Sequence, residues 1–156
     1  HPTITDSSIH FDAALYTGNG GTQTISGLAF SPDLVWYKHR SGGSSHGIFD
    51  IIRGTGGYLS CNSTGAESNY SGVSAFNSDG FSLGTDPGGN GSGTWVAWNW
   101  DGGSSNATNT DGSLTSTVRA NPTAGFSIVS WVGNRAVATV GHGLNAVPEF
   151  IIVKKY

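Results

Sequence analysis

Apolar and polar residues alternate along this chain with a period close to two, and no window carries a helical stripe. In Leu34-Val-Trp-Tyr-Lys-His39, Leu34, Trp36 and Lys38 share one face, and Val35, Tyr37 and His39 share the other. In Thr94-Trp-Val-Ala-Trp-Asn-Trp100, Val96, Trp98 and Trp100 fall together. Such alternation predicts strands near 11–17, 22–28, 33–39, 46–53, 57–61, 73–77, 80–84, 94–100, 113–118, 126–132, 136–141 and 149–155. Asn19-Gly20 and Asp79-Gly80 mark hairpin turns, since these residues tolerate positive φ. Gly-rich loops follow Arg40, Asp86 and Trp100. A dozen short strands at this spacing predict an all-β fold, an antiparallel β-sandwich of the jelly-roll or lectin-like kind. An additional C-terminal half-repeat follows it.

The half-repeat is visible as internal similarity. Phe11-Asp-Ala-Ala-Leu-Tyr16-Thr-Gly18-Asn19 returns, from Phe11 to Phe126 a displacement of 115, as Phe126-Ser-Ile-Val-Ser-Trp131-Val-Gly133-Asn134. Pro32-Asp-Leu-Val-Trp-Tyr-Lys38 returns, from Pro32 to Pro148 a displacement of 116, as Pro148-Glu-Phe-Ile-Ile-Val-Lys154. Residues 41–100 have no counterpart. The chain therefore divides into an extended lead-in (1–10), a complete sandwich repeat (11–100), a small, polar and flexible linker (101–112) and half-repeat strands (113–156). A half-unit cannot cover its own apolar faces, so it is expected to lean on the first copy or on another molecule. The candidate assembly residues are Ile4 and Ile9, Phe11, Phe126, Ile128, Trp131, Phe150 and Ile152. The lead-in, with Thr3, Thr5, Ser7, Ile9 and Phe11 on one face, is the candidate donor strand for a neighbouring copy.

Composition changes this picture in two ways. Charged residues make up only 11%, glycine numbers 25, and the net charge is −3 without a basic run. A surface of Ser, Thr, Asn and Gly suits close packing or glycan-rich surroundings, and it lacks the positive footprint that nucleic-acid binding requires. No apolar stretch approaches a membrane span. The chain contains no methionine and starts at His1, so either a leader is removed, which would place the protein outside the cell, or the sequence is a piece of a longer one. The lone Cys61 permits no intrachain disulfide. Four sequons, at Asn62, Asn69, Asn90 and Asn106, are candidate glycosylation sites.

Candidate chemistry is sparse. Gly43-Ser-Ser45-His-Gly47 fits the Gly-x-Ser-x-Gly pattern, but that pattern works where a strand turns into a helix, and here a strand follows. His46, Asp50 and Arg53 form the best polar cluster, read as Asp50 or Glu67 pairing with Arg53 beside the core. Asn109-x-Asp111-Gly112 resembles the end of a calcium loop, with Ala107 where the first carboxylate belongs. His39, His46 and His142 lack zinc spacing, and His142 reads as a turn residue. No enzyme activity, metal or cofactor is expected. Of the five tryptophans, Trp36 and Trp98 are assigned to the core, and Trp95 is left on the open face as the candidate glycan contact.

The ordered motifs Tyr16-Thr-Gly-Asn-Gly20, Phe30-Ser-Pro-Asp-Leu-Val-Trp-Tyr-Lys38, His46-Gly-Ile-Phe-Asp-Ile-Ile-Arg-Gly54, Tyr58-Leu-Ser60, Phe76-Asn-Ser-Asp-Gly-Phe81 and Trp95-Val-Ala-Trp98 carry a resemblance. Together they resemble a β-sandwich repeat of aquatic bacteriophage structural and tail-fibre-like proteins and of environmental bacterial sequences, which often carry it in tandem. Over about residues 9–155 the resemblance implies a lectin-like sandwich in a virion or extracellular structural protein, with no catalytic residues. The resulting expectation is a structural subunit of a secreted filament or phage fibre, whose partners are copies of itself. The alternative is a glycan-binding module with carbohydrate as partner.

Overall fold

A computed structural model describes residues 4–156. In chain order the strands are β1 (Phe11–Gly18), β2 (Gln23–Ser26), β3 (Leu34–His39), β4 (Gly47–Asp50), β5 (Gly54–Leu59), β6 (Ser68–Asn69), β7 (Val73–Asn77), β8 (Gly80–Leu83), β9 (Gly93–Trp100), β10 (Asn106–Asn109), β11 (Ser116–Asn121) and β12 (Phe126–Trp131). A single helical turn, α1 (Pro87–Asn90), starts where Asp86 accepts the Gly88 amide, with Pro87 supplying a helical φ at the first position. No helix among the described residues is long and apolar enough to cross a membrane.

The strands form three antiparallel sheets, ordered β1-β9-β3-β4-β5-β6, β2-β8-β7 and β10-β11-β12. The first two pack face to face as the expected sandwich. Tyr16, Val35, Tyr37, Phe49, Trp95 and Ala97 from the long sheet meet Val73, Phe81 and Leu83 from the short one. Turn chemistry ties the connections down. The Asn19 side chain accepts the Gly21 amide around Gly20, and Ser78-Asp79 closes the β7–β8 hairpin.

Three expectations need correction. First, the inward face of the long sheet is the reverse of the expected one. Trp95 is wholly buried, while Trp36 and Trp98 lie half-buried on the outer face. Alternation defines two faces but does not say which one meets the second sheet. Tyr37 decides it, because its ring fills a slot walled by the backbones of Gly47, Gly72 and Gly89, where added Cβ atoms would collide with it. Trp95 packs edge-on to Tyr37 at 5.8 Å and parallel to Tyr16 at 6.2 Å.

Second, the connector 101–112 contains β10, which pairs with β11 from Asn106↔Arg119 to Asn109↔Ser116. Polar composition hid a strand whose backbone bonds do not depend on apolar side chains. Third, 136–141 and 149–155 form no strand; the first contributes only a parallel bridge, Leu114↔Val140. Alternation marks these segments as strand-competent, but 149–155 makes no ladder with a described strand, and its contact with the 63–65 loop is through the Lys154 side chain, which donates to the carbonyls of Ser63 and Gly65 at 3.1 and 2.7 Å.

Replacing Trp95 with alanine is expected to cost about 3–5 kcal/mol, the range for a large core aromatic. Trp98→Ala, which empties a half-buried outer position, is expected to cost distinctly less. Denaturant melts of both variants check this. Equal losses would show that the outer ring carries as much packing as the inner one.

Candidate functional site

The register builds a row of aromatic side chains across the outer face. Phe11 lies opposite Trp100, which lies opposite Leu34; Ala13 lies opposite Trp98, which lies opposite Trp36. Ring centroids are 4.9 Å apart for Phe11–Trp100, 5.7 Å for Trp36–Trp98 and 6.5 Å for Trp36–Trp100. Leu15, in the same face of β1, is 65% exposed. The short sheet covers the opposite face, so this one presents contiguous apolar rings at its surface.

His46 borders the row. Trp36 Nε1 donates to His46 Nδ1 at 2.8 Å. An indole nitrogen only donates, so Nδ1 must be unprotonated and the neutral ring carries its proton on Nε2. Burial, with the Lys38 charge nearby, lowers the His46 pKa below its ordinary value. The adjacent Ser45 lies exposed in the loop before β4, and His46 turns its Nδ1 away to Trp36. Asp50, Arg53 and Glu67 form the expected charge cluster: Arg53 Nε lies 2.6 Å from Asp50 and Nη1 lies 3.0 Å from Glu67. Arg53 also donates to the carbonyl of Gly57 at 2.6 Å. Asn109 and Asp111 share an exposed turn, and His142 accepts the Leu144 amide in another. Among the described residues no three His, Cys, Asp or Glu side chains come together as metal ligands.

Trp95, the candidate glycan contact, is not available to a sugar. It is enclosed in the core, donates to the Gly91 carbonyl at 2.9 Å and is stacked on its outer edge by His39 at 4.3 Å. Asn90 is likewise removed from the candidate glycosylation sites. Its fully buried amide donates to Asn19 Oδ1 and to the carbonyls of Gly21 and Gly84, and accepts from Gln23 and the Asn19 amide. Asn62, Asn69 and Asn106 are exposed. The Asn62 oxygen nevertheless accepts from the His46 amide at 3.0 Å and from Ser60 at 2.8 Å. Cys61 is half-buried, and burial raises its pKa.

A joint ties the third sheet to the sandwich. Arg119 on β11 meets Asp33 at 2.7 Å, and the Gly102 amide donates to the other Asp33 oxygen at 2.8 Å. Burial raises the Asp33 carboxyl pKa, and Arg119 and the Gly102 amide pull it back in part. Asp101 accepts from Asn121 at 2.7 Å and sits 2.9 Å from His10 Nδ1. Phe126 stacks on Trp100 at 5.8 Å, beside Ile4 and Phe11. Residues 86 positions apart meet here, and no spacing rule in the sequence connects Asp33 with Arg119.

The candidate assembly residues divide accordingly. Ile4 and Phe126 are half-buried at the joint. Ile128 and Trp131 are half-buried on β12, and Ile9 and Phe11 are partly exposed. Phe150 and Ile152 are 80% and 58% exposed, within an apolar run, Phe150–Val153, that makes no ladder. The lead-in is not an extended strand over its described part. Asp6 caps a 3-10 turn at Ser7–Ile9, because its carboxylate takes up the Ser8 amide. Thr3, on the proposed donor face, lies outside the described residues.

Burial of His46, with the Lys38 charge beside it, makes stability depend on pH. The folded chain holds His46 neutral more strongly than the unfolded chain does. The unfolded state therefore takes up more protons once pH falls through about 6.5, and stability is lost from there down to the lowered folded value. Comparing melting temperatures of the wild type and His46→Gln across this range isolates the effect. The wild type is expected to fall more steeply, and parallel curves would sever the link.

No curated protein and no solved structure matches the chain. A family model described as a domain of unknown function (DUF7483) matches residues 6–156. Matched over nearly all of its length, this all-β chain belongs to that family.

Proposed function

We propose that this chain is a structural subunit that polymerises with copies of itself, as part of an extracellular filament or a phage fibre-like appendage. The observation that carries the reading is the exposure of strand-competent apolar segments. Phe150-Ile-Ile-Val153 is apolar and between 58% and 80% exposed, yet pairs with no described strand. An apolar extended segment with unpaired backbone groups is a template for another chain. The low charge supports the same reading, since little repulsion opposes close packing of identical copies. The resemblance to phage and environmental structural repeats supports the setting.

Sedimentation velocity over a range of concentrations, with negative-stain micrographs, tests it. The sedimenting mass is expected to grow with concentration and the particles to lengthen in one dimension. A single-chain mass at every concentration would overturn the proposal.

A second reading, a glycan-binding module, is favoured by one observation: Trp36, Trp98 and Trp100 form a half-buried aromatic row on the outer face. Aromatic faces of this kind stack on sugar rings. Titrating oligosaccharides against tryptophan fluorescence is expected, on this reading, to give a saturable change in a non-assembling sample, and Trp98→Ala to abolish it. Identical titrations of both proteins would remove the row as a sugar platform.

A further inference from the structure

We infer that copies join edge to edge, with β1 of one copy lying antiparallel beside β12 of the next. This rests on the self-assembly reading above and names the two surfaces it uses. The three sheets have six terminal strands, β1 and β6, β2 and β7, β10 and β12. Four of them are poor templates. β6 has two residues, and β2 and β10 are four-residue polar strands, Gln-Thr-Ile-Ser and Asn-Ala-Thr-Asn. β7 is broken by a register shift between Val73 and Ala75. β1 and β12 differ from all of these. They run for eight and six residues, are mainly apolar, and carry no lysine, arginine or proline. Charges, prolines, bulges and shortness are the devices that protect free edges, and Asp12 is the only one of them on these two strands.

The open side of β1 can be located. The His10 carbonyl accepts the Asp101 amide at 2.9 Å, in the register that pairs Phe11 with Trp100. Backbone direction alternates along a strand, so Asp12, Ala14 and Tyr16 bond to β9, and Ala13, Leu15 and Thr17 turn their N–H and C=O groups outward. The Asp12 carboxylate takes up the Ala13 amide at 2.7 Å and Gln23 donates to the Thr17 carbonyl at 3.1 Å, so Leu15 is the centre of the open stretch. β12 bonds β11 on one side and ends its sheet on the other.

The occupant follows from the chain itself. β1 and β12 occupy corresponding places in the internal repeat: each opens with phenylalanine, and a Gly-Asn pair follows, Gly18-Asn19 at the end of β1 and Gly133-Asn134 just beyond β12. One terminates the sandwich and the other the third sheet, and the Asp33–Arg119 joint holds the two sheets together. A second copy offers β1 to β12 without competing for the same edge. The pairing unites six strands with three in one continuous ladder. Each copy uses each edge once, so the contact is head-to-tail and propagates instead of closing. Asp12 is the only charge on either strand, so no like-charge pair opposes the approach. The exposed sequons Asn69 and Asn106 lie on β6 and β10, the opposite edges of the same two sheets. Modification there leaves β1 and β12 clear.

Leu15→Pro removes one outward N–H and no bond to β9, a substitution that edge strands tolerate. Ser127→Lys places a charge on β12. In the full chain each variant alone is expected to sediment at the single-chain mass with an unchanged melting temperature. An equimolar mixture is expected to form dimers and stop there, because only one intact β1 and one intact β12 remain to pair. Should Ser127→Lys lower the melting temperature, Ser130→Lys takes its place in the mixture. If the wild type polymerises and folded Leu15→Pro polymerises equally well, the edge assignment fails while self-assembly stands. Two folded variants that remain single chains when mixed would also overturn it. A wild type that never associates removes both proposals.

Discussion

The enclosure of Tyr37 is the constraint on which the rest of the fold depends. Its ring has room only because Gly47 on β4, Gly72 before β7 and Gly89 in α1 bring bare backbone against it from three separate segments. Burial raises its phenol pKa far above the ordinary value, which favours the neutral ring. With Tyr37 inside, the strict alternation of β3 sends Trp36 and Lys38 outward. The β3–β9 register then sets Trp95 and Ala97 inside and Trp98 and Trp100 outside. One aromatic slot therefore determines where all three tryptophans of β9 lie.

The aromatic row on the outer face is a consequence of that choice. Two of its rings are shielded at their ends, Trp100 by Phe11 and Phe126, and Trp36 by His46. The middle of the row, with Leu15 beside it, remains an apolar surface on the outer face of the long sheet. Its chemistry suits a sugar face or another protein surface equally. The mainly apolar edges of β1 and β12, with Asp12 as their one charge, favour the protein.

The joint between sandwich and third sheet gives that preference its geometry. A buried ion pair such as Asp33–Arg119 adds little net stability, because desolvation offsets most of the attraction, but it penalises every arrangement that leaves one partner alone. Gly102 lies against both side chains, where a Cβ would stand 3.0 Å from Arg119 and 3.2 Å from Asp33. The linker is thus bound into the joint at its first residues. Sheets held this way present β1 and β12 at a set angle, which is what a regular polymer requires of its subunit.

The sequence by itself determined the fold class, most strand positions, the turns at Asn19-Gly20 and Asp79-Gly80, the Arg53 charge cluster and the internal repeat. All of these rest on local period, turn chemistry or neighbouring charges, which act over a few residues. Only the tertiary structure decided that Trp95 is core and Trp98 is not, that Asn90 is sealed inside a hydrogen-bond cage, that 106–109 is a strand, and that 149–155 is not one. Each of these depends on what stands opposite a segment in space. Alternation is symmetric between its two faces, a polar strand looks like a loop, and an apolar extended segment becomes a strand only where a partner backbone lies beside it.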